Sequence, residues 1–139
     1  MGLTLEQAQT IVAGALAEAR RKNLKPMGFV VLDERGALRA AAVEDGAPLA
    51  RWKVAFGKAN GALSLGVSSR RLQEMAVERP HFLAGLGTVL DAGLVPVPGG
   101  VLIRDAAGAL IGAAGASGDT SDADEAALVA AIAAAGLAA

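Results

Sequence analysis

The sequence predicts an α+β fold in which helices pack against a central antiparallel sheet. Two hairpin patterns carry the prediction: strands over 27–32 and 37–43 around the turn Asp33-Glu34-Arg35-Gly36, and strands over 101–103 and 109–116 around the turn 105–108. Segments of helical period stand before, between and after them, giving the order α-β-β-α-(α)-β-β-α. A short turn reverses the chain and so pairs its strands antiparallel, and Ala-rich helices must bury their apolar faces against such a sheet. With 139 residues, 53% of them hydrophobic, the chain has the size of a single domain over 1–139. Only 3% are aromatic, so the core must be built from close contacts between small side chains.

In chain order, Thr4-Leu5-Glu6-Gln7 has the form of a capping box and opens the first helix. Leu5, Ala8, Val12, Ala15, Leu16 and Ala19 recur at helical spacing, Arg20, Arg21 and Lys22 fill the last turn, and Asn23 and Pro26 stop it. After the first hairpin, Pro48 fits the first turn of a second helix whose inner stripe reads Trp52, Ala55, Phe56, Ala59 and Leu63. Arg51, Lys53 and Lys58 fall on its other faces. Ser68 or Ser69 caps a short helix through Ala76. From Glu78-Arg79-Pro80 to Gly93 the glycine-punctuated chain shows no clear period and reads as irregular. Pro96, Pro98, Gly99 and Gly100 make a rigid corner before the second hairpin. Gly118 ends that hairpin, and Thr120 or Ser121 caps the last helix, with Asp122, Asp124 and Glu125 at its positive end and Gly136 at its C-terminal cap. The uncharged stretch 126–139 is too short to span a bilayer and reads as a buried helix.

Thirteen basic residues against fourteen acidic ones, with no basic run interleaved with aromatics, argue against nucleic acid as a partner. The absence of Cys removes disulfides, Cys-zinc sites and thiol chemistry, and suits a reducing, cytoplasmic setting. The opening Met1-Gly2-Leu3 leads into an amphipathic segment with Glu6, not into a basic and then apolar leader, so neither secretion nor a membrane is expected.

The chain resembles the GlcG/HbpS-like family, small bacterial proteins also related to the C-terminal domain of PduO-type proteins. The resemblance lies in the opening Leu3-Thr4-Leu5-Glu6-Gln7-Ala8, in Val30-Val31-Leu32-Asp33-Glu34-Arg35-Gly36, and in Arg51-Trp52-Lys53-Val54-Ala55. It is most pronounced near the end, where Pro98-Gly99-Gly100-Val101-Leu102-Ile103, the run Ile111-Gly112-Ala113-Ala114-Gly115-Ala116-Ser117-Gly118 and Asp124-Glu125 are similar to the family's Gly-Gly strand, Gly-rich strand and acidic helix start. Leu102 stands where the family often has Pro, and Ala123 where it often has Gln. The resemblance implies a three-layer α-β-α domain that forms dimers or larger homo-oligomers and, in several members, binds haem or a related tetrapyrrole. Other members sit beside catabolic enzymes.

Gly112-Ala113-Ala114-Gly115-Ala116-Ser117-Gly118 is superficially like a dinucleotide turn, but no parallel βαβ unit follows it and Asp119, Asp122, Asp124 and Glu125 would repel phosphate. Two readings remain: the glycines let a helix approach the sheet, or they form a pocket wall in which Ser117, Gly118 and Thr120 meet a polar ligand group and Gly99-Gly100 lets a ligand lie flat. His81, the single histidine, is too few for a hydrolytic zinc site yet sufficient as an axial haem ligand. Arg51, Lys53 and Lys58 suit a carboxylate such as a haem propionate or an organic-acid substrate, and a solvated helix face explains them equally well. Asp124 and Glu125, adjacent on a helix, point apart and default to dipole complement and solvation. The leading expectation is a small-ligand-binding protein for haem or another planar, anionic molecule, bound through Arg51, Lys53, His81, Gly99, Gly100, Ser117, Gly118 and Thr120. The alternative is a small catabolic enzyme, an isomerase or hydro-lyase, acting on an organic acid anchored by Arg51 or Lys53, with His81, Asp124 or Glu125 as acid or base.

Overall fold

The computed structural model describes residues 2–139, so Met1 of the opening segment lies outside them. The described residues form, in order, α1 (Leu5–Arg21), β1 (Gly28–Asp33), β2 (Leu38–Val43), α2 (Arg51–Leu65), α3 (Ser69–Glu78), α4 (Pro80–Val89), β3 (Gly100–Arg104), β4 (Leu110–Ser117) and α5 (Ser121–Ala134). The four strands make one sheet in the order β2-β1-β4-β3, with every neighbouring pair antiparallel.

Alternation along the two central strands sends side chains to opposite faces. Phe29, Val31, Ile103, Ala114 and Ala116 meet Ala8, Ile11 and Ala15 of α1 and Leu128 and Ile132 of α5. Val30, Leu32, Leu102 and Ala113 meet Ala55, Ala59 and Ala62 of α2 on the other face. The architecture is therefore three-layered, α-β-α, and the sheet divides the expected single core into two. At Gly115 of β4 an added Cβ would lie 1.9 Å from the Ala55 carbonyl oxygen, so only glycine permits α2 to lie this close to the sheet.

Local sequence accounts for most of the boundaries. Thr4 accepts a hydrogen bond from the Gln7 amide, the Gln7 side chain accepts one from the Thr4 amide at 2.9 Å, and Asn23 takes the left-handed conformation (φ 54) just past the end of α1. The first turn is closed by Asp33, whose Oδ1 accepts from the amides of Arg35 and Ala37 at 2.9 and 3.1 Å. Thr120 caps α5 by accepting from the Ala123 amide, and Gly136 is left-handed beyond its end (φ 79). The edge of the sheet at β3 is partly covered, because Arg104 and Ala138 exchange backbone hydrogen bonds of 2.8 and 3.0 Å.

Several expectations change. Residues 80–89 are helical, with Pro80 in the first turn; Leu83 is the one buried residue of α4, too little to mark the sequence with an apolar period. The inner stripe of α2 is rotated toward Ala55, Lys58, Ala59 and Ala62, and Trp52 is 43% exposed because alanines, not the large aromatics, fit the narrow gap over the sheet. Pro48 lies ahead of α2, whose N-cap is Ala50. Lys58 is not solvated but 2% exposed. Helix α5 stops at Ala134 and is buried on one face only, with Val129 42% exposed.

Candidate functional site

The end of β4, the start of α5 and one face of α2 meet at the rim of the sheet. Arg51 begins α2 and its Nη1 donates to Ser117 Oγ at 3.4 Å, while its Nε is buried with no hydrogen-bond partner among the described residues. Ser117 closes β4 and is 2% exposed. Lys58 lies two turns beyond Arg51 on the same helix face. Its Nζ donates to the Ala116 carbonyl at 2.8 Å and to Asp124 Oδ2 at 3.3 Å. Asp124, 1% exposed, accepts at its other oxygen from the Asp119 amide at 2.9 Å. Asp124 thus belongs to an internal ion pair and not to a solvated helix end.

The corner before β3 closes over this pair. Gly99 has φ +124, which side-chain-bearing residues rarely adopt, and an added Cβ would lie 2.8 Å from Lys58 Nζ. At Gly100 the same addition would lie 2.2 Å from the Lys58 carbonyl oxygen. Ser69 holds that residue by accepting from its amide at 2.7 Å and donating to its carbonyl at 3.2 Å. Gly118 is likewise filled by protein, with Met27 Sδ 2.5 Å from the position of a Cβ. Burial pushes the Lys58 amine below the ordinary lysine value, with Arg51 acting in the same direction and the Asp124 carboxylate opposing both. Glu125 points away and pairs with Arg70, whose guanidinium is held above its ordinary value by Glu125 first and Asp122 second.

Of the residues singled out in the sequence, the structure gathers Arg51, Ser117, Gly99, Gly100 and Asp124 at this rim, with Thr120 next to it as the cap of α5. Lys53 stands elsewhere: two positions from Arg51, it projects from another face of α2 and lies over the Trp52 ring, 5.9 Å from its centroid. His81 is exposed in the first turn of α4, a helix that packs on α3 and on no other named element among the described residues. Sequence reasoning named Lys58 only as a helix-face cation open to a ligand carboxylate and Ser69 only as a helix cap, and so missed the buried role of both. The signal for Lys58 was its spacing of three and four residues from Ala55 and Ala62, which places it in their stripe. Ser69 gave no such signal, because its partner Gly100 is 31 residues away.

Chemically, the rim offers one fixed cation with an unmet donor at Arg51, a hydroxyl at Ser117, and a second cation, Lys58, already committed to Asp124. No helix among the described residues is long and apolar enough to cross a membrane. Among them, no group of three or more His, Cys, Asp or Glu residues is placed to hold a metal ion.

The fold is shared with several crystal structures. HbpS superposes with a TM-score of 0.83 at 24% identity, covering 96% of this chain and 90% of that one. A haem complex of PduOC superposes with a TM-score of 0.84 at 24% identity over 96% of this chain and 95% of that one. The Klebsiella pneumoniae protein ORFY gives 0.85 at 24% identity over 97% and 91%. No curated protein sequence matches the chain closely enough to count as a relative. At such identities the superpositions speak for the fold alone, whereas a sequence-family model, haem degrading protein HbpS-like, matches residues 3–133, and the chain belongs to that HbpS-like family.

Proposed function

We propose that the chain is a small-ligand-binding protein whose ligand is haem or another planar, anionic small molecule, anchored through a carboxylate at Arg51 and Ser117. The observation that carries this reading is the buried, unpartnered Nε of Arg51 beside the Ser117 hydroxyl. A guanidinium is permanently charged, its donors match the two oxygens of a carboxylate, and leaving a buried donor unmet costs about 1–3 kcal/mol. Arg51 as a whole is only half-buried, so a carboxylate reaches the charge of its guanidinium from the exposed side, while Nε itself is covered. The family to which the chain belongs and the haem complex of PduOC favour haem within this class.

The residues fit haem in part. Arg51 and Ser117 would hold a propionate and the exposed His81 imidazole would ligate the iron, a group that when bound would supply redox and oxygen chemistry. Gly99, Gly100 and Gly118 owe their lack of a side chain to packing by Lys58, Ser69, Ala116 and Met27, so they serve the site by shaping the rim. Helix α4, which carries His81, makes no contact with α2, which carries Arg51, among the described residues. The same reading therefore includes self-association, for which Val77 of α3 and Val89 of α4, 81% and 70% exposed, provide apolar surface. The same reading includes a cytoplasmic location, which the Cys-free composition suits. The organic-acid enzyme gains no support from this geometry, since Asp124 is committed to Lys58 and Glu125 to Arg70.

Haem titration of the purified protein followed by absorption spectroscopy, with Arg51→Gln and His81→Ala alongside, tests the proposal. The expected result is a saturable Soret shift whose affinity falls about tenfold in Arg51→Gln, the loss of one charge-assisted hydrogen bond. Disappearance of the shift in His81→Ala would assign the iron ligand. No saturable shift in the unaltered protein would overturn haem, and turnover of a carboxylate substrate would move the assignment to the enzyme.

A further inference from the structure

We propose that the cleft between α2 and the chain leading into β3 is a second binding site, for a small planar aromatic carboxylate. The cleft is open to solvent, has a volume of about 360 Å³ and is lined by Trp52, Lys53, Phe56 and Ala92. That volume lies at the lower end of the range for small-molecule sites, about 300–1,000 Å³, and suits a ligand of one or two rings. The chain has one Trp, three Phe and no Tyr, so this cleft holds two of its four aromatic side chains. They are not spent on the core: Trp52 is 43% exposed, and Phe56 is only partly buried.

The opposite wall is fixed in place. Asn60 Nδ2 donates to the Gly93 carbonyl at 2.7 Å, and the Val95 amide donates to the Gly57 carbonyl at 3.2 Å, tying residues 93–95 to α2. Lys53 supplies the charge. Its ammonium lies over the Trp52 ring, 5.9 Å from the centroid, and enters no ion pair among the described residues, so it is free to turn to an anion beside the ring. An aromatic ring stacked on Trp52 with its carboxylate at Lys53 satisfies both features together. A twofold contact centred on the cleft would bring two Lys53 ammoniums together, which disfavours a second copy as its occupant. The site does not rest on the Arg51 anchor, since Arg51 and Lys53 project from different faces of α2.

Trp52 is the single tryptophan, so its emission reports on the cleft directly. Titration with benzoate, followed by Trp52 fluorescence and by calorimetry, is expected to show saturable binding. Affinity should fall about threefold to tenfold in Lys53→Gln and for cyclohexanecarboxylate, which keeps the charge and lacks the ring. Calorimetric binding of benzoate should be lost in Trp52→Leu. Four results would overturn the proposal: no saturable response to benzoate, equal affinity in Lys53→Gln, loss of binding in Arg51→Gln, which would place benzoate at the other site, or emission that changes with protein concentration alone, which would place a second copy in the cleft.

Discussion

Replacing Asp124 by Ala should destabilise the protein more than any other single change to the rim. The Asp124 and Lys58 side chains are 2% and 3% exposed and 3.3 Å apart. Without the carboxylate, the ammonium of Lys58 keeps the Ala116 carbonyl as its one acceptor, and the Asp119 amide loses its partner. Breaking a buried ion pair from one side costs about 3–5 kcal/mol. For a chain of this size each kcal/mol lowers Tm by roughly 3–5 °C, so the expected drop is about 10–25 °C. The opposite change, Lys58→Met, should cost about 1–3 kcal/mol, because Asp124 keeps the Asp119 amide and lies near the positive end of α5. The double variant Lys58→Met/Asp124→Leu should be more stable than Asp124→Ala, having no isolated charge. Urea unfolding followed by circular dichroism measures all three. If Asp124→Ala lies within about 1 kcal/mol of the unaltered protein, the pair is not what the geometry implies. The pH dependence has a fixed sign. Burial holds Lys58 below the ordinary value of 10.5, so between that lowered value and 10.5 the unfolded chain binds more protons and this group's contribution to stability rises with pH.

Two further predictions concern the sheet and its turn. Asp33, 1% exposed, has its pKa lowered to about 2 from 3.8, chiefly by the Arg35 guanidinium, against the opposing effect of burial, with the amides of Arg35 and Ala37 adding to the shift. Its contribution is complete above 3.8 and disappears as pH falls through about 2. Because Arg35 is largely in solvent, it amounts to about 1–2 kcal/mol, and Asp33→Asn should flatten acid unfolding across that window. An unchanged acid titration in Asp33→Asn would contradict this. Gly115→Ala should cost about 3 kcal/mol or more, since its Cβ would meet the Ala55 carbonyl, a backbone atom that cannot turn aside. Urea midpoints measure it, and wild-type stability would mean that α2 can lift from the sheet at little cost.

How far the sequence reveals the structure depends on how far apart the interacting residues are. Both hairpins were legible because turn chemistry is local: Asp33 and Gly36 in one, Asp105 and Gly108 in the other, with both glycines left-handed as such turns require. The capping box at Thr4 and Gln7 was legible for the same reason. Helix α4 was not, since a helix that buries Leu83 alone carries no periodic stripe. The face of α2 was misjudged because periodicity arguments put the largest apolar residues inside, whereas here the gap over Gly115 admits only alanine. The rim was legible in its parts and not as an assembly. Ser117, Gly99 and Gly100 stand out by composition, but the partners that fix their meaning lie 66 residues away for Arg51 and Ser117, and 66 again for Lys58 and Asp124.

The route taken by the Lys58 side chain has a consequence for how the molecule comes apart. Helix α2 covers one face of the sheet and α5 the other, and the two apolar clusters beneath them are separated by the strands. Lys58 leaves the first layer, passes the end of β4 at the Ala116 carbonyl and reaches Asp124 in the second. This contact runs around the strands and not through them, a buried link between the layers beside the exposed one from Arg70 to Glu125. Loss of either layer strands a charge in the other, so the layers melt as one cooperative unit, and the heat of unfolding should appear in a single calorimetric transition.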